Sequence, residues 1–209
     1  MPKVWHKYIK RDSLTGIWKI TESEEELREL LHAIEGEQFN HSTRAKQWLS
    51  SRVLLQELLA DMGFFGPYTL EKTSLGKPIL NLPGIEVSIS HAGDYAAVAI
   101  SKSGPVGLDI EQIRPRISRI KTKFMNDSDL SRLGFDEDLE WMHLVWSAKE
   151  ALFKFHEGGE LDFKEHLHID EVHEPHLLAR IQKEGVLKQV EVPYQFFEDY
   201  VITWALPSE

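Results

Sequence analysis

Bulky apolar residues cluster at the start of the chain. Trp, Tyr, Val and Ile crowd residues 4–9 and 16–20, and this richness predicts two short strands around a turn at Asp12–Gly16. A helical period follows. Leu27, Leu30, Leu31 and Ile34 fall on one helical face, with Thr21 and Glu24 at capping-box spacing before them and Gly36 as the stop. A longer helix is expected from Ser42 to Met62, ending at Gly63. Its apolar face uses Trp48, Leu55, Leu59 and Met62, and Arg44, Lys46 and Arg52 punctuate it with positive charge.

After Gly76-Lys77-Pro78 two strand-like runs, Ile85–Ser90 and Tyr95–Ser101, flank the turn-forming Ala92-Gly93-Asp94. Ser103-Gly104-Pro105 interrupts the chain near its midpoint, and Val106–Glu111 reads as another strand. Helical character returns over Ser118–Leu133 and strongly over Asp136–Phe155, and the remainder reverts to strands ending at Tyr200–Leu206. Helices and strands thus occur in each half. The expected architecture is α+β, with two lobes at residues 1–103 and 104–209.

Composition changes the picture in two ways. The 209 residues contain 24 Lys and Arg against 34 Asp and Glu, a formal charge of −10, which argues against a nucleic-acid coat. There is no cysteine, so disulfides, thiolate zinc sites and cysteine nucleophiles are all excluded. The charged N-terminal segment has no apolar core, and no apolar run approaches the roughly 20 residues that span a bilayer. A cytoplasmic protein with no membrane partner is expected.

Three segments carry candidate chemistry. In Gly107-Leu108-Asp109-Ile110-Glu111, strand alternation puts both carboxylates on one face, where they suit a magnesium ion or form a plain acidic edge. In Trp146-Ser147-Ala148-Lys149-Glu150-Ala151-Leu152-Phe153-Lys154, residues Trp146, Glu150 and Lys154 form a helical stripe. That stripe is either an ordinary ion pair or a metal ligand and base beside an anion-gripping lysine. Val87-Ser88-Ile89-Ser90-His91 ends an apolar strand in a histidine that either meets a phosphate or satisfies a turn. His166, His168, His173 and His176 lack a helical zinc signature and read as structural or surface residues.

The order G-K-P-x-L, S-x-S-H, G-L-D-I-E and W-S-A-K-E-A-L-F-K resembles the 4′-phosphopantetheinyl transferase superfamily, over about residues 42–165. It looks like the larger, single-chain branch typified by surfactin-synthetase activators. The resemblance implies two similar lobes with coenzyme A in the cleft between them. It implies transfer of the phosphopantetheine arm to a serine of an apo acyl or peptidyl carrier protein, with magnesium, releasing adenosine 3′,5′-bisphosphate. It assigns Asp109, Glu111 and Glu150 to the metal, and Glu150 and Lys154 to catalysis. Arg52 and His91 match positions that hold the 3′-phosphate, while Lys72, Gly76, Lys77, Pro78 and Ser90 fall on nucleotide-binding loops. Lys154 falls near the pyrophosphate.

Two departures stand out. No Lys or Arg lies between Arg28 and Arg44, where this branch often carries basic residues, so Arg44 or Lys46 is expected to take over that phosphate contact. The later F-F-x-x-x-E element appears as Phe124 to Asp129, its acid shortened by one methylene. A magnesium-dependent phosphohydrolase and a non-catalytic coenzyme A-binding protein remain as alternatives. A monomer is expected. Because the net charge opposes both anionic partners, carrier docking is expected to lean on apolar contacts and to depend little on salt.

Overall fold

The computed structural model describes residues 3–31, 41–74, 76–133, 138–156 and 160–207. The chain divides into two compact units, Met1–Gly104 and Pro105–Glu209. Each is a sheet packed with helices, the α+β class expected from the pattern.

In the first unit, β1 (Lys3–Lys10), β2 (Ser13–Lys19), β5 (Glu86–Ala92) and β6 (Tyr95–Ser101) form an antiparallel sheet in the order β1-β2-β6-β5. β6 is buried along its whole length because its Ala, Val and Ile residues sit between two neighbours and under a helix. Polar residues in the central strands are satisfied. Ser13 donates to Ser101 at 2.9 Å and Thr15 donates to the Val98 carbonyl at 3.0 Å. A short ribbon, β3 (Leu70–Lys72) with β4 (Pro78–Leu80), stands apart from this sheet.

Two helices complete the unit, α1 (Glu24–Leu30) and α2 (Ser42–Asp61). The cap of α1 is Ser23, whose hydroxyl accepts from Glu26 N while Glu26 closes the box on Ser23 N. The Thr21–Glu24 box expected from spacing is therefore displaced by two residues. Ile34 and Gly36 lie outside the described residues. Helix α2 stops before Gly63, whose φ of +85° is open to glycine without strain. Its buried face is wider than expected: Leu49, Val53, Leu54 and Leu58 join Leu55 and Leu59, each stabilising the unit by about 1.5–3 kcal/mol.

The second unit holds a five-stranded antiparallel sheet in the order β7-β11-β10-β9-β8. Its strands are β7 (Gly107–Gln112), β8 (Leu167–His173), β9 (His176–Lys183), β10 (Val186–Phe197) and β11 (Tyr200–Ala205). Across it lies α5 (Leu139–Phe155), capped by Asp138 accepting from Trp141 N at 3.0 Å. Met142, Val145, Ala148, Leu152 and Phe155 pack it onto a core completed by Leu167, Val192 and Val201. The helix expected over Ser118–Leu133 is three pieces: a 3-10 turn at Pro115–Arg119, α3 (Lys121–Phe124) and α4 (Asp127–Ser131). Asn126 breaks the run by capping α4, its side chain accepting from Asp129 N at 2.9 Å. No helix of the described residues is long and apolar enough to cross a membrane.

Candidate functional site

The first unit gathers positive charge around a pocket of about 210 Å³ lined by Arg44, Trp48, Arg52, Lys72, Gly76, Pro78, Ile89 and His91. Clefts that enclose a whole small molecule measure roughly 300–1,000 Å³, so this one suits a phosphate-sized fragment. Three elements position these residues. Helix α2 presents Arg44, Trp48 and Arg52, which lie four residues apart and so share a face. Gly76, at φ +84°, lets the chain reverse between Lys72 and Pro78, and Thr73 closes the turn on Lys77 N at 3.0 Å and Lys77 O at 2.9 Å. β5 delivers Ile89 and His91 on the same side, with His91 exposed at its end.

Arg52 is 9% exposed, its guanidinium lying 4.2 Å over the Trp48 ring and donating to the Ser51 hydroxyl at 2.8 Å. This stacking fixes a cation against the pocket wall, a contact worth about 0.5–2 kcal/mol. Of the residues assigned by resemblance, Lys77 and Ser90 do not line the pocket: Lys77 pairs with Glu86 at 3.0 Å, and Ser90 is buried in β5. Arg44 and Lys46 also part company. Arg44 joins the cationic pocket, whereas Lys46 lines a neighbouring one with Ser42, Thr43 and Asp94.

The second unit gathers negative charge on the seam between β7 and α5. Asp109 is 3% exposed, and Lys154 donates to its Oδ1 at 2.8 Å and to the Leu108 carbonyl at 3.0 Å. Trp146 donates from Nε1 to Glu111 Oε1 at 2.8 Å. Burial pushes the Glu111 carboxyl up to about 7; Asp109 and Glu150 push the same way, against the Trp146 bond and Lys154. Burial likewise raises Glu150, with Asp109 adding to it and Lys154 opposing. Three acids within electrostatic range, each desolvated, repel unless a cation joins them.

The expected metal trio is not converged as a ligand set: among the described residues no group of three His, Asp or Glu is arranged around one point. In its place Asp109 engages Lys154 and Glu111 engages Trp146. The donor set nonetheless fits magnesium, which takes carboxylate oxygen and commonly only one or two protein carboxylates beside phosphate.

Two features of this unit escape a reading by motif. Lys149, inside W-S-A-K-E, is fully buried and donates to Phe124 O at 2.7 Å, Phe163 O at 2.9 Å and Asp129 Oδ2 at 2.7 Å. Its three hydrogens are thereby satisfied, so Asp129 of the shortened acidic element ties two motifs together as a structural pair. Burial lowers the Lys149 pKa, while Asp129 raises it; the three acceptors at hydrogen-bond distance favour the ammonium. The other feature is a basic strip after β7, Arg114, Arg116, Arg119, Lys121 and Lys123, exposed apart from half-buried Lys121 and without one acid between Gln112 and Asp127. His143 fastens its start, accepting from Arg114 N at 3.2 Å. The run was visible in the sequence as a charge block.

Residues 105–205 match the model of the 4′-phosphopantetheinyl transferase superfamily, a span that coincides with the second unit. The chain is 30% identical over 130 residues to the 4′-phosphopantetheinyl transferase AcpT of Escherichia coli, covering 59% of this chain and 64% of that protein. It is 30% identical over 127 residues to the 4′-phosphopantetheinyl transferase Sfp of Bacillus subtilis, covering 56% and 54%. It thus spans less than two thirds of the length of these relatives. The matches divide between the two types and so do not select one particular branch.

Proposed function

We propose, from the match of residues 105–205 to the 4′-phosphopantetheinyl transferase superfamily and the similarity to two transferases of that name, that the chain moves the phosphopantetheine arm of coenzyme A onto a serine of an apo carrier protein. The observation that carries this reading is the seam of β7 and α5, where Asp109, Glu111, Glu150 and Lys154 lie together. A phosphohydrolase would use the acids but has no use for the cationic pocket of the first unit.

The carrier serine oxygen would attack the pantetheine-side phosphorus, the bond to the bridging oxygen would break, and adenosine 3′,5′-bisphosphate would leave. Glu150 would accept the serine proton as the general base. Lys154, held by the Leu108 carbonyl, would place a positive charge at the pyrophosphate oxygens. Asp109, Glu111 and Glu150 would hold magnesium, which supplies neutralisation of phosphate charge. Arg44, Arg52 and His91 would bind the 3′-phosphate, and Lys72, Gly76 and Pro78 would bound the nucleotide end. Lys77 and Ser90 would act on this site from beside it.

The basic strip changes the expectation for the carrier. An acidic carrier would meet the exposed Arg116 and Arg119 of the second unit, so local charge would steer an encounter that the net charge opposes. The reading is tested by incubating the chain with coenzyme A, magnesium and an apo carrier and weighing the carrier. A pantetheinyl mass gain is expected; hydrolysed coenzyme A with an unchanged carrier would support the phosphohydrolase instead.

A further inference from the structure

Strand β11 has no place in the chemistry above, yet it fastens the two elements that do. Thr203 stands opposite Asp109 in the β11–β7 ladder, and directly opposed residues share a face, so Thr203 points toward α5 beside Asp109. Its Oγ1 donates to the Ser147 carbonyl at 2.9 Å and pairs with the Ser147 hydroxyl at 3.0 Å. Both residues are fully buried. Two pairs further along, on the same face, Gly107 lies against the helix with no room to spare. A Cβ there would sit 1.9 Å from the Ala151 carbonyl oxygen and 2.7 Å from Phe155 N. The helix is thus fixed at Ser147 and at Ala151, and Glu150 lies between the two points.

A valine would fill the Thr203 position with no hydroxyl to desolvate. Apolar contact alone lets a helix settle by fractions of an ångström along a sheet, whereas two reciprocal hydrogen bonds set both its height and its rotation. From this geometry we infer that Thr203, with Ser147 and Gly107, is a positioning device that sets the spacing of Asp109 and Glu150 and hence the affinity of the second unit for a divalent cation. This rests on the reading of those two acids as metal ligands.

The test is a Mn²⁺ titration followed by electron paramagnetic resonance, run beside thermal unfolding, on Thr203→Val, Thr203→Val/Ser147→Ala and Thr203→Ser. The double variant removes both partners at once, leaves no buried group unsatisfied and is expected to unfold near the native temperature. Mn²⁺ affinity should fall about tenfold in both valine variants, at the low end for groups that orient metal ligands. Thr203→Ser keeps the hydroxyl and should keep native affinity. A folded double variant that binds Mn²⁺ as tightly as the native chain would overturn the inference and leave Thr203 a structural fastening. An Asp109→Asn control with unchanged affinity would instead sink the ligand assignment, and this inference with it.

Discussion

The two units hold opposite charges by different means. In the first, cations reach a pocket from one helix, one tight turn and one strand end, and only Arg52 is buried. In the second, carboxylates sit on a packed seam where strand and helix are bonded to each other at Trp146, Ser147 and Lys154. The lesson is a division of labour. A set gathered from separate elements suits binding, where small shifts cost little, and a seam suits chemistry, where the reacting groups must be pre-positioned.

The comparison breaks first at Glu150. Glu150→Gln keeps the shape of the seam but cannot take the serine proton, and transfer should fall on the order of 10²–10⁴-fold with coenzyme A binding intact. Stopped-flow transfer and equilibrium binding, measured together, check it; a weakened affinity with an unchanged rate would place Glu150 among the binding residues. Next in size is the buried pair. Lys149→Met leaves Asp129 uncompensated and should cost about 3–5 kcal/mol in urea unfolding, most of it recovered in Lys149→Met/Asp129→Leu. No recovery in the double variant would mean that the lysine stem, not its charge, supports the core.

Arg52→Ala should weaken coenzyme A about tenfold, the scale of a charge-assisted hydrogen bond, and weaken the analogue lacking the 3′-phosphate less. Equal losses for both ligands would show that Arg52 reads some other part. The smallest effect falls on the basic strip. Arg116→Glu/Arg119→Glu should slow carrier association severalfold at low salt and flatten its salt dependence. Association unaffected by both salt and charge reversal would restore the apolar docking expected from net charge alone.

Much of the second unit was legible in the sequence. Strand alternation placed Asp109 and Glu111 on one side, and helical spacing aligned Trp146, Glu150 and Lys154. What pattern did not reveal was partnership. The pattern gives Lys149 no role, and only its contacts with Phe124, Phe163 and Asp129 show why it is buried. Thr21–Glu24 and Ser23–Glu26 have the same spacing, so spacing alone does not choose between them, and the structure uses the second. The run from Ser118 to Leu133 looked helical by composition, but Asn126 and Asp129 formed their own box and cut it. The cationic pocket was less legible still, since neither Lys77 nor Lys46 differs in type from the residues that line it.

The division of labour is tested most directly by an intact-mass time course of an apo carrier with magnesium and rising coenzyme A. The native chain, Arg52→Ala and Glu150→Gln are run side by side. Arg52→Ala should reach the native rate once coenzyme A saturates, and Glu150→Gln should stay flat at every concentration. A carrier that gains no mass with the native chain, or a Glu150→Gln variant that labels it at the native rate, would contradict the account.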